Sequence, residues 1–331
     1  MPIFPASPES IARAAAVLKS GGTVGMPTET VYGLGADATN EDAVRKIFKI
    51  KQRPPTNPLI VHVDSTDSIF KVSSPSKEQE ALLNLLKPFW PGPLSVILPA
   101  SPRIAPSVTA GQGTVAVRIP NHPTALALIK ESGLPIAAPS ANLSTQVSPT
   151  TAQHVYEGLG DSVDLILDGG PCTVGLESTI ISLMTSPPTL LRAGGVPVEE
   201  LSKVLGEISS TSETTTPSGA LLSPGLMKEH YAPKTPLVLR GERSPSSFPL
   251  RTGLISFKGS SAPLEFDYSV VSELSKSGDL TEVATKLFAA LRELDRLNLE
   301  LLVVDTCEAT GIGRAIMDRL IRASARTRNS K

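Results

Sequence analysis

The chain has 331 residues, 40% hydrophobic and 19% charged, the balance of an ordinary folded protein and long enough for two domains. Its 31 basic and 32 acidic side chains leave a formal net charge of −1, so no global basic field draws nucleic acid and any anion site must be local. Two cysteines, Cys172 and Cys307, rule out a disulfide scaffold and stand in no metal-ligand spacing; MPIFPASPES lacks the order of a signal peptide, and no run of about 18 apolar residues offers a membrane span, so a cytoplasmic protein is expected.

Residues 7–22 read as a first helix: Ser7 caps it, Pro8 takes the first position, Ile11, Ala14, Ala15 and Leu18 share a face, and Gly21 ends it. Strand-like runs follow at 23–26, 59–63, 94–98, 114–119, 164–167, 179–183 and 189–192, with helical patterns at 40–48, 76–86, 122–132 and 198–206. They interleave irregularly, which predicts an α/β domain over 1–206 with a mixed sheet rather than a strict βαβ repeat. Residues 207–236 are hydroxyl- and proline-rich and mark a linker. Strands near 236–240, 253–257, 268–271 and 301–305 and helices over 279–297 and 311–325 then predict a smaller α/β domain over 237–331.

The segment KIKQRPPTNPLIVHV, 49–63, is the first candidate for chemistry. Arg45, Lys46 and Lys49 read as cations complementing a helix C-terminus. Lys51 and Arg53 lie just before Pro54-Pro55; an extended chain there would point both one way, which suits a polyphosphate. In TVAVRI, Val115, Val117 and Ile119 face one side and Thr114, Ala116 and Arg118 the other, so Arg118 suggests a polar cleft. His62 shares a strand face with Ile60; a lone strand histidine is more often structural than catalytic. PTETVYGLGADA, 27–38, is a loose dinucleotide fingerprint, and Gly311-Ile312-Gly313 a second without its third glycine; turns and close packing explain both better. APSANLS, 138–144, offers hydroxyls and amides for a phosphate, and GLESTI and LRAGG place Ser178 and Arg192 near strand ends. Residue patterns alone thus predict a concave domain for a phosphate-bearing ligand and leave the reaction open.

Taken in order, PTETVYGLGADA, K-x-R-P at Lys51–Pro54, N-P-L-I-V-H at Asn57–His62, W-P-G-P at Trp90–Pro93, V-R-I-P at Val117–Pro120, P-S-A-N at Pro139–Asn142 and S-P-G…H-Y-A-P at 223–233 resemble the threonylcarbamoyl-adenylate synthases of the long form. That resemblance implies a YrdC-like twisted, mixed open sheet with a concave active-site cleft, followed by a smaller Rossmann-like α/β domain. It implies a nucleotidyltransferase that makes threonylcarbamoyl-AMP and pyrophosphate from L-threonine, bicarbonate and ATP for tRNA threonylcarbamoyladenosine modification. It further implies that Thr30, His62, Arg118, Ala138 (through its backbone) and Ser178 hold threonine. Arg53, Asn57, Thr114, Ser140, Ser148, Arg192 and Tyr231 would hold ATP, and Lys51 with Arg53 would act on the phosphates. Mg²⁺ is expected to come with ATP rather than in a dedicated cage. The product is expected to pass to a tRNA threonylcarbamoyl-transferase complex without stable direct tRNA binding, and the linker to act as a lid carrying Tyr231. The rival readings are a double-stranded RNA-binding module and a related carbamoyl-adenylate transferase.

Overall fold

The computed structural model describes residues 2–211, 215, 219–227, 229–259 and 265–329; residues 212–214, 216–218 and 228 of the expected linker therefore lie outside the described residues. Short strands, most of them buried on both faces, build the first sheet. They are β1 (Ile3–Pro5), β2 (Val24–Met26), β3 (Gly33–Asp37), β4 (Ile60–His62), β5 (Leu94–Pro99) and β6 (Thr114–Arg118). The rest are β7 (Ile136–Ala137), β8 (Leu165–Asp168), β9 (Thr179–Ser182), β10 (Thr189–Arg192) and β11 (Ser209–Ser210). The eleven strands lie in the order β1-β8-β2-β3-β7-β4-β6-β5-β9-β10-β11. Parallel pairs such as β4/β6 and β5/β9 alternate with antiparallel ones such as β5/β6 and β9/β10, so the sheet is mixed, as its irregular spacing predicted.

Helices cover the two faces unequally, with the short α3 (Thr66–Val72), α5 (Pro106–Thr109) and α7 (Ala152–Leu159) among those of the first core. On one face Val61, Val96, Val117 and Ile181 share a core with α2 (Glu41–Lys51), α4 (Lys77–Leu86) and α8 (Val198–Leu205), through Ile47, Leu83 and Leu201. On the other, α1 (Pro8–Lys19) and α6 (Pro123–Ser132) pack through Ala14, Leu18 and Leu128 onto Val24, Met26, Ile136 and Leu165, at the β8-β2-β3-β7 end. Beyond them Ile60, Ile97, Ala116 and Ile180 form a narrow apolar floor with Leu191. That asymmetry makes the concave cleft. The first helix starts as its caps require, with Ser7 and Ser10 forming a capping box. Gly33 and Gly35 lie inside strand β3, not in a dinucleotide turn: a Cβ on Gly35 would stand 2.8 Å from Ile136 Cγ2, so glycine permits the close approach of β7.

The second sheet, β12 (Leu237–Leu239), β13 (Thr252–Ser256), β14 (Val270–Glu273) and β15 (Leu301–Val304), is wholly parallel in the order β12-β15-β13-β14. Its helices α9 (Leu280–Asp295) and α10 (Ile312–Asn329) face the first sheet's cleft: Leu287, Phe288 and Ile316 share one core with Val31, Val147, Leu176 and Tyr231. Part of the linker crosses the open face, where the Leu221 amide donates to the Thr56 carbonyl and the Gln112 side chain donates to the Leu221 carbonyl. Among the described residues no helix is long and apolar enough to cross a membrane.

Candidate active site

A cavity opens between the floor of the cleft, the 138–140 turn and the linker. Strand register fills its first end: His62 and Arg118 are directly paired across β4 and β6, and Ser95 pairs with Arg118 across β5. Arg118 is buried; its Nη1 donates to Thr30 Oγ1 at 2.8 Å, and its Nη2 forms an ion pair with Glu29 Oε1 at 2.7 Å whose angle falls outside good hydrogen-bond geometry. His62 is also buried, and burial, then the Arg118 charge, pushes its imidazole down to about 3, so the ring is neutral at physiological pH. Its Nδ1 has no hydrogen-bond partner among the described residues. Ser178 hydroxyl lies 2.8 Å from that of Ser95.

Arg53 and Arg192 line the same cavity. Arg53 is braced by Asn57, whose Oδ1 accepts from Nη2 at 2.6 Å and whose carbonyl accepts from Nε at 3.0 Å. Burial lowers its guanidinium to about 9. Arg192 donates from Nη2 to the carbonyl and hydroxyl of Ser178 at 2.9 and 3.1 Å, and from Nη1 to the linker carbonyl of Pro224 at 3.0 Å. Tyr231, 1% exposed with φ 62°, lines the cavity, and burial raises its phenol to about 12.

Of the residues singled out from sequence, Thr30, Arg53, His62, Arg118, Ala138, Ser140, Ser178, Arg192 and Tyr231 line this one cavity. Lys51, Asn57, Thr114 and Ser148 do not. Asn57 acts behind Arg53, and Ser148 donates at 2.6 Å to Glu177 Oε1 in the wall. Thr114 begins β6 on the same side of the strand as Arg118, but at the far end of the floor. The extended Lys51–Arg53 pair needs correcting. Lys51 is the last residue of α2, and Gln52 turns left-handed at φ 51°. The two side chains therefore diverge: Lys51 Nζ donates to the carbonyls of Ser140 and Asn142 while Arg53 turns to Asn57. Burial, then the charge of Arg53, lowers the Lys51 ammonium well below its ordinary value. The Ala138 amide is committed to the Ile60 carbonyl at 2.9 Å, so only its carbonyl is left for a ligand.

A family model described as "Telomere recombination", of the Sua5/YciO/YrdC group, matches residues 16–194, and one described as "Threonylcarbamoyl-AMP synthase, C-terminal domain" matches residues 196–325. The chain belongs to the threonylcarbamoyl-AMP synthase family. Similar members are the threonylcarbamoyl-AMP synthases of Bacillus subtilis, 42% identical with 95% of this chain and 92% of that one covered, and of Pyrococcus abyssi, 40% identical with 94% and 93% covered. The crystal structure of P. abyssi Sua5 complexed with L-threonine superposes with a TM-score of 0.88 at 38% identity, covering 97% of each chain. The fold expected from the sequence, a mixed open sheet followed by a smaller Rossmann-like α/β domain, is thus that of a synthase of this family.

Glu177 of the cavity lining and Glu29, the buried partner of Arg118, carry no signal of their roles in the sequence, although both stand inside the motifs GLEST and PTETV. Nor does the sequence signal what the second domain brings: Phe288 and Arg319 flank Tyr231. Nothing local in α10 signals that Arg319 is buried against a strand end of the first sheet.

Proposed function

We infer that this chain joins L-threonine, bicarbonate and ATP into threonylcarbamoyl-AMP and pyrophosphate, the activated intermediate for threonylcarbamoylation of tRNA. The observation that carries the reading is that His62, Arg118 and Ser178 line one cavity together with Arg53 and Arg192 in a chain of this family. At the first end Arg118 pairs the threonine carboxylate, Thr30, Ser178 and the Ala138 carbonyl surround it, and the neutral His62 accepts through Nδ1. At the other end Arg53 and Arg192 take the phosphates, with Ser140, Tyr231 and, behind the wall, Asn57 and Ser148 shaping the nucleotide pocket; Thr114 would be reached by a nucleotide lying along the floor. Lys51 is assigned to holding the 140–142 turn rather than to direct phosphate contact, since its ammonium is spent on that turn's carbonyls.

The chemistry then needs positioning more than a reactive side chain. Threonine's amine attacks the bicarbonate carbon, water leaves, and the N–C bond of a carbamate forms. A carbamate oxygen attacks the α-phosphorus, the bond to the β-phosphate oxygen breaks, and pyrophosphate departs with the electron pair. Arg53 and Arg192 stabilise the charge that builds on the phosphate oxygens, in a site from which Tyr231 and the linker exclude water. The cavity's acids do not make a metal cage. Glu29 is paired with Arg118 and Glu177 with Arg319, and among the described residues no three His, Cys, Asp or Glu side chains cluster. The Mg²⁺ expected with ATP would therefore arrive on the triphosphate and keep its waters.

The burial of Lys51, Arg53, Arg118 and Arg192 argues against the RNA-binding reading, because buried cations cannot grip a duplex backbone. This reading places the protein in the cytoplasm, upstream of a tRNA threonylcarbamoyl-transferase complex. The test is pyrophosphate release from ATP and bicarbonate with and without threonine: release that requires threonine is expected, and release independent of it, or none, refutes the reading.

A further inference from the structure

The nucleotide end of the cavity contains an apparent mistake. Beside Arg192, where a polyanion is expected, the wall carries the carboxylate of Glu177. Uncompensated, that charge would repel a triphosphate and be costly to bury. Both of its oxygens are engaged. Ser148 Oγ donates to Oε1 at 2.6 Å, and Arg319 Nε donates to Oε2 at 2.8 Å across 142 positions of sequence. Burial by itself would raise the Glu177 carboxyl, but the charges of Arg319 and Arg192 together with the hydrogen bonds from Ser148 and Arg319 outweigh it and hold the group below its usual range.

Arg319 belongs to α10 of the second domain and is 1% exposed. Its Nη2 also donates to the Ala193 carbonyl at 3.0 Å, next to Arg192, and its guanidinium carbon lies 5.1 Å from the centroid of the Tyr231 ring. Phe288 of α9 stacks on Tyr231 with centroids 5.6 Å apart and planes 17° from parallel. Arg292, also of α9, donates to the carbonyls of Val147 and Ser148 at 2.6 and 3.3 Å. The second domain thus touches the Ser148–Glu177 wall, the Arg192 loop and the tyrosine that lines the site.

We propose that Arg319 is a positioning residue for ATP: it neutralises Glu177, turns that carboxylate toward Ser148 and steadies Tyr231, so that the second domain completes the nucleotide half of the site without touching the nucleotide. The inference rests on the assignment of this wall to ATP. A simple strut between domains would have the same contacts, but it would not be sensitive to the charge on Glu177.

The experiment uses the full chain as wild type, Arg319→Met, Glu177→Gln and the double variant, with pyrophosphate release measured against ATP and threonine in turn, ATP binding by calorimetry, and thermal melting. Arg319→Met removes the ion pair and leaves the Glu177 charge held only by the Ser148 hydrogen bond, and is expected to raise the KM and Kd for ATP by about tenfold or more while moving the threonine KM by less than about twofold. The double variant carries neither charge and is expected to return the ATP constants to within about threefold of wild type. Equal rises in both KM values, a fall in kcat with both KM values unchanged, or a double variant as poor toward ATP as Arg319→Met overturns the proposal. If Arg319→Met does not fold, the double variant decides: near-wild-type ATP constants support the proposal, and constants raised about tenfold or more overturn it. A wild-type chain that binds ATP but releases no threonine-dependent pyrophosphate refutes the assigned reaction instead, and the calorimetric comparison still judges Arg319.

Discussion

Replacing Arg118 with alanine is the sharpest probe of how the two substrates divide the cavity. The guanidinium is buried, donates to Thr30 at 2.8 Å and pairs with Glu29 at 2.7 Å, so its removal has two separable effects. Hydrogen bonds to charged groups contribute about 1.5–3 kcal/mol. Loss of the pair with the threonine carboxylate should therefore raise the threonine KM by about 10- to 150-fold, at about 1.4 kcal/mol per decade. The ATP KM should change little, because Arg53 and Arg192 have partners of their own. Glu29 would be left as a buried, unpaired charge, which costs about 3–5 kcal/mol of stability. Adding Glu29→Gln removes that cost and not the binding defect, so the double variant should melt close to wild type yet still require far more threonine. Initial rates of pyrophosphate release, with each substrate varied at saturation of the other and corrected for folded fraction by circular dichroism, measure both effects. Equal rises in the two KM values, or an unchanged threonine KM, would refute the division of roles.

Asn57→Ala removes the 2.6 Å side-chain brace of Arg53, leaving the backbone carbonyls of residues 57 and 58, and should raise the ATP KM about tenfold without altering the threonine KM; steady-state kinetics checks this, and an unchanged ATP KM would show that Arg53 does not depend on that side chain. Gly194→Ala places a Cβ 2.3 Å from the Ser178 carbonyl carbon, so backbone must move beside both Ser178 and Arg192. That substitution should cost about 1–3 kcal/mol in urea unfolding and weaken both substrates, and wild-type stability would contradict the packing. For His62 the folded value of about 3 lies below the ordinary 6.5, so the unfolded chain binds the extra proton and stability falls as pH drops from about 6.5 toward 3. His62→Gln should flatten the decline in urea midpoint between pH 7 and pH 5, and identical declines in both proteins would be evidence against a neutral buried imidazole.

Local chemistry is legible along the chain wherever neighbours in sequence are also the physical partners. Ser7 and Ser10 can cap only the helix that follows them, and the alternation of Val115 and Val117 against Ala116 and Arg118 can seat only one face in a core. The same alternation placed Ile60 with His62 on the cleft side and Leu59 and Val61 in the core. The motif order located most of the cavity lining. It did not locate Lys51, because one further residue of helix, ended by a left-handed Gln52, turned that side chain toward the 140–142 turn instead of along Arg53.

Charge compensation is a different kind of property. An ion pair is defined by distance in space, and its partners can stand anywhere in the chain. Nothing in GLEST indicates that Glu177 is neutralised, and nothing in IGRAIMDRLIRA indicates that Arg319 does it from another domain. The helices, the strand faces and the list of cations and hydroxyls follow from amino-acid order, since backbone geometry and apolar alternation act over a few residues. Which cations face one cavity, which merely brace the wall, and that the second domain reaches Glu177 and Tyr231 depend on packing across more than a hundred residues, because only folding brings those charges within a few ångströms.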